Sequence, residues 1–183
     1  GGDRQVVESD IWRLRGDTLF FFNQYRGLQV IDVSDAATPA LAKSFPLAAV
    51  GEQMYVPSDT RVVLLGRETC GNNGALSNRV SVVNVELDPP QLAAQVDIPG
   101  YLQESRMVGD VLYIASQNYR ATPGPQGGEV WEWGSQITSV DLSNLDAPVV
   151  RDTFWLPGYG NVIQATDRFL FSATGGWNTA STI

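Results

Sequence analysis

Oxygen-bearing side chains recur at one position of a segment that the chain repeats. Short connections with related sequences, PLAAVGEQ, IPGYLQES and LPGYGNV, each lead into an apolar run. With a one-residue gap allowed, these segments place Glu52, Glu104 and Asn161 at one position, the entrance of an inner strand, and Asp10 falls at the same position of the first unit. Such oxygens can bind a hard cation such as Ca²⁺, and paired acids can perform general acid–base catalysis without histidine. A solvated polar lining, or hydrogen bonds to neighbouring backbone, would use the same residues.

Aromatic and cationic side chains are concentrated in a second segment, SQNYRATPGPQGGEVWEWGS. It contains Tyr119, Arg120, Trp131 and Trp133, and these residue types are enriched at the centres of protein interfaces. We therefore predict these four residues as a partner-binding site, on a long loop that spans residues 118–135. The alternative is that this loop folds onto itself or its neighbours and that its tryptophans serve as packing.

The residue inventory excludes several kinds of catalytic site. The chain has no histidine and a single cysteine, Cys70. Serine hydrolase triads, histidine–metal sites and Cys–His pairs are therefore excluded within these residues, and no internal disulfide can form. The GPQGG segment lacks the lysine of a phosphate-binding loop, and no D-x-D-x-D-G calcium loop occurs. We predict no catalytic residue, no metal and no cofactor, with Ca²⁺ at the recurring oxygen position as the alternative.

Composition and charge narrow the class of protein. Of the 183 residues 43% are hydrophobic, which is ample for a globular core. The net charge of −8, with no basic cluster, argues against nucleic acid as a partner. No apolar run approaches the length of a transmembrane segment. The start, GGDRQVVESD, lacks the basic and apolar parts of a signal peptide, as a mature secreted chain also would.

One phrase returns three times along the chain, as GLQVIDVSDAATP (27–39), RVSVVNVELDPP (79–90) and QITSVDLSNLDAP (136–148). Each copy has a β-branched run, an Asp or Asn, a polar turn and a proline. Asp or Asn at this place accepts a local backbone N–H in a turn, and proline is tolerated where an outer strand begins. The phrase therefore predicts the third strand of a repeated unit and the turn that follows it.

Each repeated unit contains four strand-like runs rich in Val, Ile, Phe, Tyr and Thr, and no long stretch keeps a helical period. Four antiparallel strands in roughly 40–55 residues are typical of a β-propeller blade. We predict an all-β fold in which residues 1–183 form part of one propeller, with blades at 8–48, 49–100 and 101–158 and a partial blade at 159–183. About 3.5 blades cannot close a ring. The remainder of the propeller, on the same or another chain, is therefore an expected partner.

The first unit resembles the secreted bacterial and archaeal β-propeller domains, a family distantly related to WD-repeat proteins. The matching elements are E-x-D-I at residues 8–11, GD-x-L with a following aromatic at 16–20, and GL-x-V-I-D-x-S at 27–34. The last element is also similar to LVIVD-type repeats of bacterial surface proteins. The resemblance implies export to the cell envelope or beyond, and a binding or scaffold role. The family carries no established catalytic residues, so none is assigned.

These observations predict a secreted or envelope-associated scaffold. Propeller topology places the connection between the second and third strands on the same face as the connection between blades. Loops 67–79 and 118–135 are therefore expected to share a face with Glu52 and Glu104, and to contact a protein or a glycan there. The entrance of the innermost strand rims the central channel of a propeller, so we expect Asp10, Glu52, Glu104 and Asn161 on this rim. The alternative is a propeller enzyme of the lyase or glycosidase type that uses the carboxylates at the channel rim. We favour the binding role.

Overall fold

The computed structural model describes residues 6–47, 49–68, 78–166 and 168–175, and all regular structure in these residues is β-strand. The strands are β1 (Val6–Glu8), β2 (Trp12–Arg15), β3 (Thr18–Asn23), β4 (Gly27–Asp32), β5 (Ala40–Phe45), β6 (Ala49–Tyr55), β7 (Arg61–Glu68), β8 (Asn78–Asn84), β9 (Gln91–Ile98), β10 (Tyr101–Val108), β11 (Val111–Pro123), β12 (Glu129–Asp141), β13 (Val149–Pro157), β14 (Tyr159–Ala165) and β15 (Leu170–Gly175). In the described part of the chain, no helix has the length and apolar character needed to cross a membrane.

The strands pair in chain order into antiparallel sheets. One sheet has the order β2-β3-β4-β5 and the next β6-β7-β8-β9, while β10 to β13 form a third that β1 extends to five strands. Strands β14 and β15 form a two-stranded sheet. The predicted all-β fold with four-stranded antiparallel units is therefore confirmed. We call the sheets blades one to four in chain order.

The repeated phrase forms the third strand of each of the first three blades and the turn after it. In blade one Ser34 N–H donates to Asp32 Oδ1 (2.8 Å), and in blade two Glu86 N–H donates to Asn84 Oδ1 (3.0 Å). In blade three, Asp141 binds the guanidinium of Arg151 on the neighbouring outer strand. In blades one and two, the carboxylate or amide oxygen thus fixes the direction of the chain as it leaves the third strand.

The chain divides into two compact units, which are described separately. The amino-terminal unit comprises residues 8–98 and 143–148, and the carboxy-terminal unit the remainder. In the amino-terminal unit, apolar side chains of blade one pack against those of blade two. The buried cluster contains Phe20, Phe22, Leu28, Val30, Ala49, Met54, Val62, Leu64, Val83 and Val85. Alternation along each strand sends these side chains to one face, and burial of that face drives the packing.

Polar contacts also join these two blades. Asp10 and Met54 exchange backbone hydrogen bonds of 3.3 and 3.0 Å at the inner strands. On the outer side, Lys43 Nζ donates to the carbonyl oxygens of the turn at residues 85–87, at 2.9 to 3.3 Å. The lysine ammonium has three N–H donors, and these carbonyl oxygens accept from them. The apolar interface is therefore held at both sides by backbone acceptors.

In the carboxy-terminal unit, β14 packs on the blade-three sheet. Ala115, Ile137 and Ile163 form the buried cluster, and Tyr113, Leu156 and Leu170 pack around it. Strand β1 was not anticipated from the sequence, since Val6 and Val7 precede the first predicted blade. It lies beside β10 and is the fifth strand of the blade-three sheet.

Candidate functional site

The segment predicted to be a long loop is a two-stranded ribbon. Strands β11 and β12 pair without interruption from Val111↔Asp141 to Pro123↔Glu129. The neighbouring strands do not reach as far: β10 begins opposite Gln117, and β13 ends opposite Gly134. Residues 118–133 therefore extend beyond the sheet; we call this extension the ribbon. The clustering of glycine with polar residues suggested a loop, but cross-strand pairing continues through it.

Glycines close the tip of the ribbon. Gly124 N–H donates to the Gly128 carbonyl (2.9 Å), and Gly127 N–H donates to the Gly124 carbonyl (3.1 Å). Gly127 and Gly128 have φ values of 84° and 81°, in the left-handed region that glycine adopts without steric cost. The tip is thus a hydrogen-bonded turn, and it fixes the register of the strands on either side.

One face of the ribbon carries a row of aromatic rings. Tyr119 lies directly opposite Trp133, with ring centroids 4.3 Å apart in an edge-to-face arrangement. The Tyr101 ring is a second neighbour of Trp133, with ring centroids 6.0 Å apart. Because side chains alternate along a strand, Trp131 is on the same face as Trp133, and 64% of it is exposed. The row therefore ends in an accessible indole whose neighbours are already packed.

The opposite face carries an ion pair and a third tryptophan. Arg120 lies opposite Glu132, and their side chains form an ion pair of 3.1 Å. The Arg120 guanidinium carbon is 5.1 Å from the ring centroid of Trp155, within the range of a cation–π contact. Gly134 lies beneath Trp155, and a Cβ at this position would be only 2.5 Å from Trp155 Cζ2. Glycine at position 134 therefore allows the indole to lie flat on the strand.

Two of these indoles have a buried N–H without an acceptor. No described residue accepts a hydrogen bond from Nε1 of Trp133 or of Trp155. An unsatisfied buried donor costs about 1–3 kcal/mol. Because both nitrogen atoms are inaccessible, they add no polar group to the exposed part of the aromatic face.

The four predicted partner-binding residues all lie on the ribbon but divide between its two faces. Tyr119, Trp131 and Trp133 share one face, and Arg120 is on the other. Sequence reasoning missed Tyr101 and Trp155, which belong to neighbouring strands. Both are aromatic residues in predicted strand regions, but only the cross-strand register shows that they reach the ribbon.

Three of the four predicted rim residues lie at or beside irregularities of the inner strands, and the fourth, Asp10, forms an isolated bridge with Met54. Pairing skips residues between Val50 and Gln53 in blade two, and between Tyr159 and Val162 in blade four, so Glu52 and Asn161 lie in bulges. In blade three the skipped residue is Gln103, and Glu104 is paired with Ala115. Bulges are frequent at the rims of sheets and beside functional sites. Glu52 therefore lies within a bulge, whereas Glu104 is a paired residue next to one.

The Glu104 carboxylate has partners within its own unit. Its Oε1 pairs with Arg106 Nη2 at 2.5 Å, and its Oε2 accepts the Ile163 N–H at 2.9 Å. This second bond connects blade three to the inner strand of blade four. Backbone hydrogen bonding was one of the alternatives considered for the rim residues, and Glu104 follows it.

Part of the predicted site lies outside the described residues. Cys70 and most of loop 67–79 belong to this part, and the side chains of Glu52 and Asn161 are not described. Among the residues that the structure describes, no group of three or more acidic or cysteine side chains could hold a metal ion.

The repetition of four-stranded antiparallel sheets, each packed on the next within its unit, defines a protein of the propeller class. The chain belongs to the Beta propeller domain family, which it matches over residues 3–174. The predicted resemblance to a β-propeller family is confirmed at this level. No curated protein and no solved structure matches the chain.

Proposed function

We propose that this chain is a binding or scaffold module whose partner site is the ribbon of blade three. The observation that carries the proposal is the aromatic row that ends in Trp131, an indole with 64% of its surface exposed, on a structured hairpin. Large exposed apolar side chains on an ordered element are typical of interaction surfaces. We further propose that the module is secreted or attached to the bacterial cell envelope, as the resemblance of its first blade implies.

The arrangement favours binding at low entropic cost. Tyr119 and Trp133 are already in ring contact at 4.3 Å, so a partner need not order them. Burial of one indole is worth roughly 2–3 kcal/mol. The ion pair of Arg120 and Glu132 on the opposite face is exposed and worth less than about 1 kcal/mol. Trp131 is therefore the expected anchor, and the ion pair is expected to tune specificity.

A protein is the partner that we favour, and a glycan is the alternative. The indole N–H groups of Trp133 and Trp155 are buried, so neither is available to a sugar hydroxyl or to a peptide carbonyl of a partner. The aromatic face displays few polar groups, because the charged residues Arg120 and Glu132 occupy the other face. A protein surface can cover such an apolar row, whereas glycan recognition also needs several convergent hydrogen-bonding groups.

The remainder of a propeller is the second proposed partner. A groove of about 370 Å³ in the carboxy-terminal unit is lined by Ile137, Phe154, Leu156, Leu170 and Phe171. Phe154 and Phe171 are exposed there. In the amino-terminal unit, the matching third strand of blade one places Leu28 and Val30 in the core. A further strand beside β15 would cover the groove in the same manner.

No observation on the described rim residues favours the enzymatic alternative. In this unit, the Glu104 carboxylate is engaged by Arg106 and by the Ile163 N–H. A general acid or base must reach a substrate proton. Glu104 would have to leave both partners to do so.

Photo-crosslinking tests the proposed partner site. A photoreactive phenylalanine analogue replaces Trp131 in one variant and Trp12, which is similarly exposed on blade one, in the control. Both are incubated with secreted and envelope proteins of the source organism and, separately, with a glycan array. We expect a discrete protein adduct at position 131 that is absent at position 12 and is lost when Tyr119→Ala is added. Equal yields at both positions would contradict the proposal, and saturable glycan binding lost in Trp131→Ala would replace the protein with a glycan.

A further inference from the structure

A cleft between blades one and two combines charged and apolar side chains, and none of them belongs to the ribbon. It lies wholly within the amino-terminal unit and has a volume of about 860 Å³, within the range of small-molecule sites. Its floor includes Phe20, Val30 and Val85, all at least nine-tenths buried. Its rim carries Asp17 and Asp32. The cleft thus joins an apolar surface to carboxylates at its mouth.

The two carboxylates are adjacent for a structural reason. Asp17 lies in the turn between β2 and β3, and Asp32 ends β4. Strands β3 and β4 pair so that Thr18 faces Asp32, and Val33 N–H donates to the Asp17 carbonyl at 2.9 Å. Antiparallel pairing therefore places both side chains at the same end of blade one.

The two cationic side chains that line the cleft already have partners. Arg15 pairs with Asp59 at 2.9 Å and donates to the Val56 carbonyl at 2.8 Å. Lys43 donates to three backbone carbonyl oxygens of the turn at residues 85–87. The positive charges of the lining are thus engaged by Asp59 and by main-chain acceptors. None of these contacts involves Asp17 or Asp32.

The remaining charge in the cleft is negative. Asp32 accepts the Ser34 N–H, which leaves its charge in place. Within the described residues, the Asp17 carboxylate forms no hydrogen bond or ion pair, and neither aspartate pairs with a cation. Hydrogen bonds from Ser34 also lower the pKa of Asp32, so this carboxylate is ionised at neutral pH. Two carboxylates beside an apolar floor are complementary to a cation with an apolar stem.

We propose that this cleft binds an alkyl ammonium group, with the ammonium between Asp17 and Asp32 and the alkyl stem on the floor of Phe20, Val30 and Val85. The group comes from a free alkyl amine or from a lysine side chain of a protein. The site is separate from the ribbon and belongs to the other unit, so the inference does not depend on the proposed function.

The chain offers a matched way to remove the charge. Blade two has Asn84 where blade one has Asp32, and Asn84 forms the same turn hydrogen bond, from Glu86 N–H at 3.0 Å. Asp32→Asn should therefore fold with its turn intact and lose only the charge. Asp35 gives the control, because it lies on the same loop but not in the cleft, and Ala37 N–H donates to its carboxylate at 2.9 Å.

The experiment is an NMR titration of the whole chain with putrescine, with a Gly-Lys-Gly peptide and with neutral 1,4-butanediol. We expect saturable shifts of the Val30 and Val85 methyl signals with the two amines and none with the diol. Asp17→Asn and Asp32→Asn should each weaken amine binding about two- to five-fold, and together about ten-fold. Asp35→Asn should leave it unchanged.

The outcomes of the titration distinguish the two sources of the ammonium group and include results that would overturn the proposal. Tighter binding of the peptide than of putrescine assigns the site to a protein lysine, and the reverse order assigns it to a free amine. The proposal is overturned if the diol binds as well as putrescine, if the double variant binds like the original chain, or if no saturable shift appears. Backbone spectra of each variant verify that its fold is retained.

Discussion

Gly134→Ala tests whether the packing of Trp155 on the strand determines the geometry of the ribbon. The added Cβ would lie 2.5 Å from Trp155 Cζ2, 2.7 Å from Trp155 Cε2 and 2.6 Å from the Leu156 carbonyl oxygen, whereas Cβ contacts below 3.0 Å essentially never occur. The indole and the adjacent backbone must therefore move. Because Arg120 packs over the same ring, its cation–π contact should weaken as the ring moves.

The expected cost follows from overpacking. Additional methyl groups in a filled space cost about 1–3 kcal/mol, and loss of an exposed cation–π contact adds about 0.5–1 kcal/mol. We expect Gly134→Ala to lower the free energy of unfolding by about 2 kcal/mol. For a chain of this size that is a Tm lower by roughly 4–8 °C. Urea unfolding followed by tryptophan fluorescence measures the change.

A double-mutant cycle with Trp155→Leu separates the ring clash from the backbone clash. Leucine lacks both clashing ring atoms, so Gly134→Ala should cost about 1 kcal/mol less in that background, while the Leu156 carbonyl clash remains. Gly127→Ala is the control for glycine replacement at the ribbon, because no atom lies within 4 Å of its added Cβ and only its φ of 84° is strained. A Gly134→Ala cost below about 0.5 kcal/mol, or one unchanged by Trp155→Leu, would refute the reasoning.

The remaining predictions concern exposure, charge and the contact between blades three and four. Trp131→Ala should change stability by less than about 0.5 kcal/mol and Trp133→Ala should cost about 3 kcal/mol, because Trp133 is in contact with two other rings whereas Trp131 is largely exposed; thermal melts of both variants measure the difference. The pKa of Asp32 should lie below 3.8, since Ser34 N–H donates to its carboxylate. The ionised Asp32 carboxylate therefore stabilises the turn at pH values above its pKa in the unfolded chain, and this stabilisation is lost as the pH falls through its pKa in the folded chain. NMR of the carboxyl carbon measures the folded-state pKa, and a value at or above 3.8 would contradict the prediction. Glu104→Ala should cost about 2 kcal/mol and speed amide exchange in β14, because it removes a charged acceptor and leaves a main-chain N–H unpaired; unchanged exchange would show that the bond is not needed.

The strand pattern and the blade order could be predicted from the sequence because both are local. Alternation of apolar residues marks each strand, and the repeated phrase marks where each third strand ends. The Asp32 and Asn84 turns needed only a side-chain oxygen two residues before a backbone N–H, so residue type and spacing were sufficient. The propeller fold followed from the same repetition, and the β-propeller family from the resemblance of motifs in the first unit.

The register of pairing was decided only by the tertiary structure. Residues 118–133 have the composition of a loop, with glycines and proline at the centre, but pairing across the hairpin turns them into a ribbon. Pairing of β10 with β11 also brings Tyr101 to Trp133, which lies two strands further along the chain. A shift of one residue in register would send these rings to opposite faces, and no local pattern fixes that shift.

The cleft shows the same division between local and non-local information. Each aspartate could be assigned to a turn from its neighbours in sequence, but whether its charge stays uncompensated depends on where distant cations lie. Arg15 reaches Asp59 and Val56, and Lys43 reaches the turn after β8, more than forty residues away. Sequence determines which residues can carry charge. Packing of one blade on the next determines which of those charges remain available to a ligand.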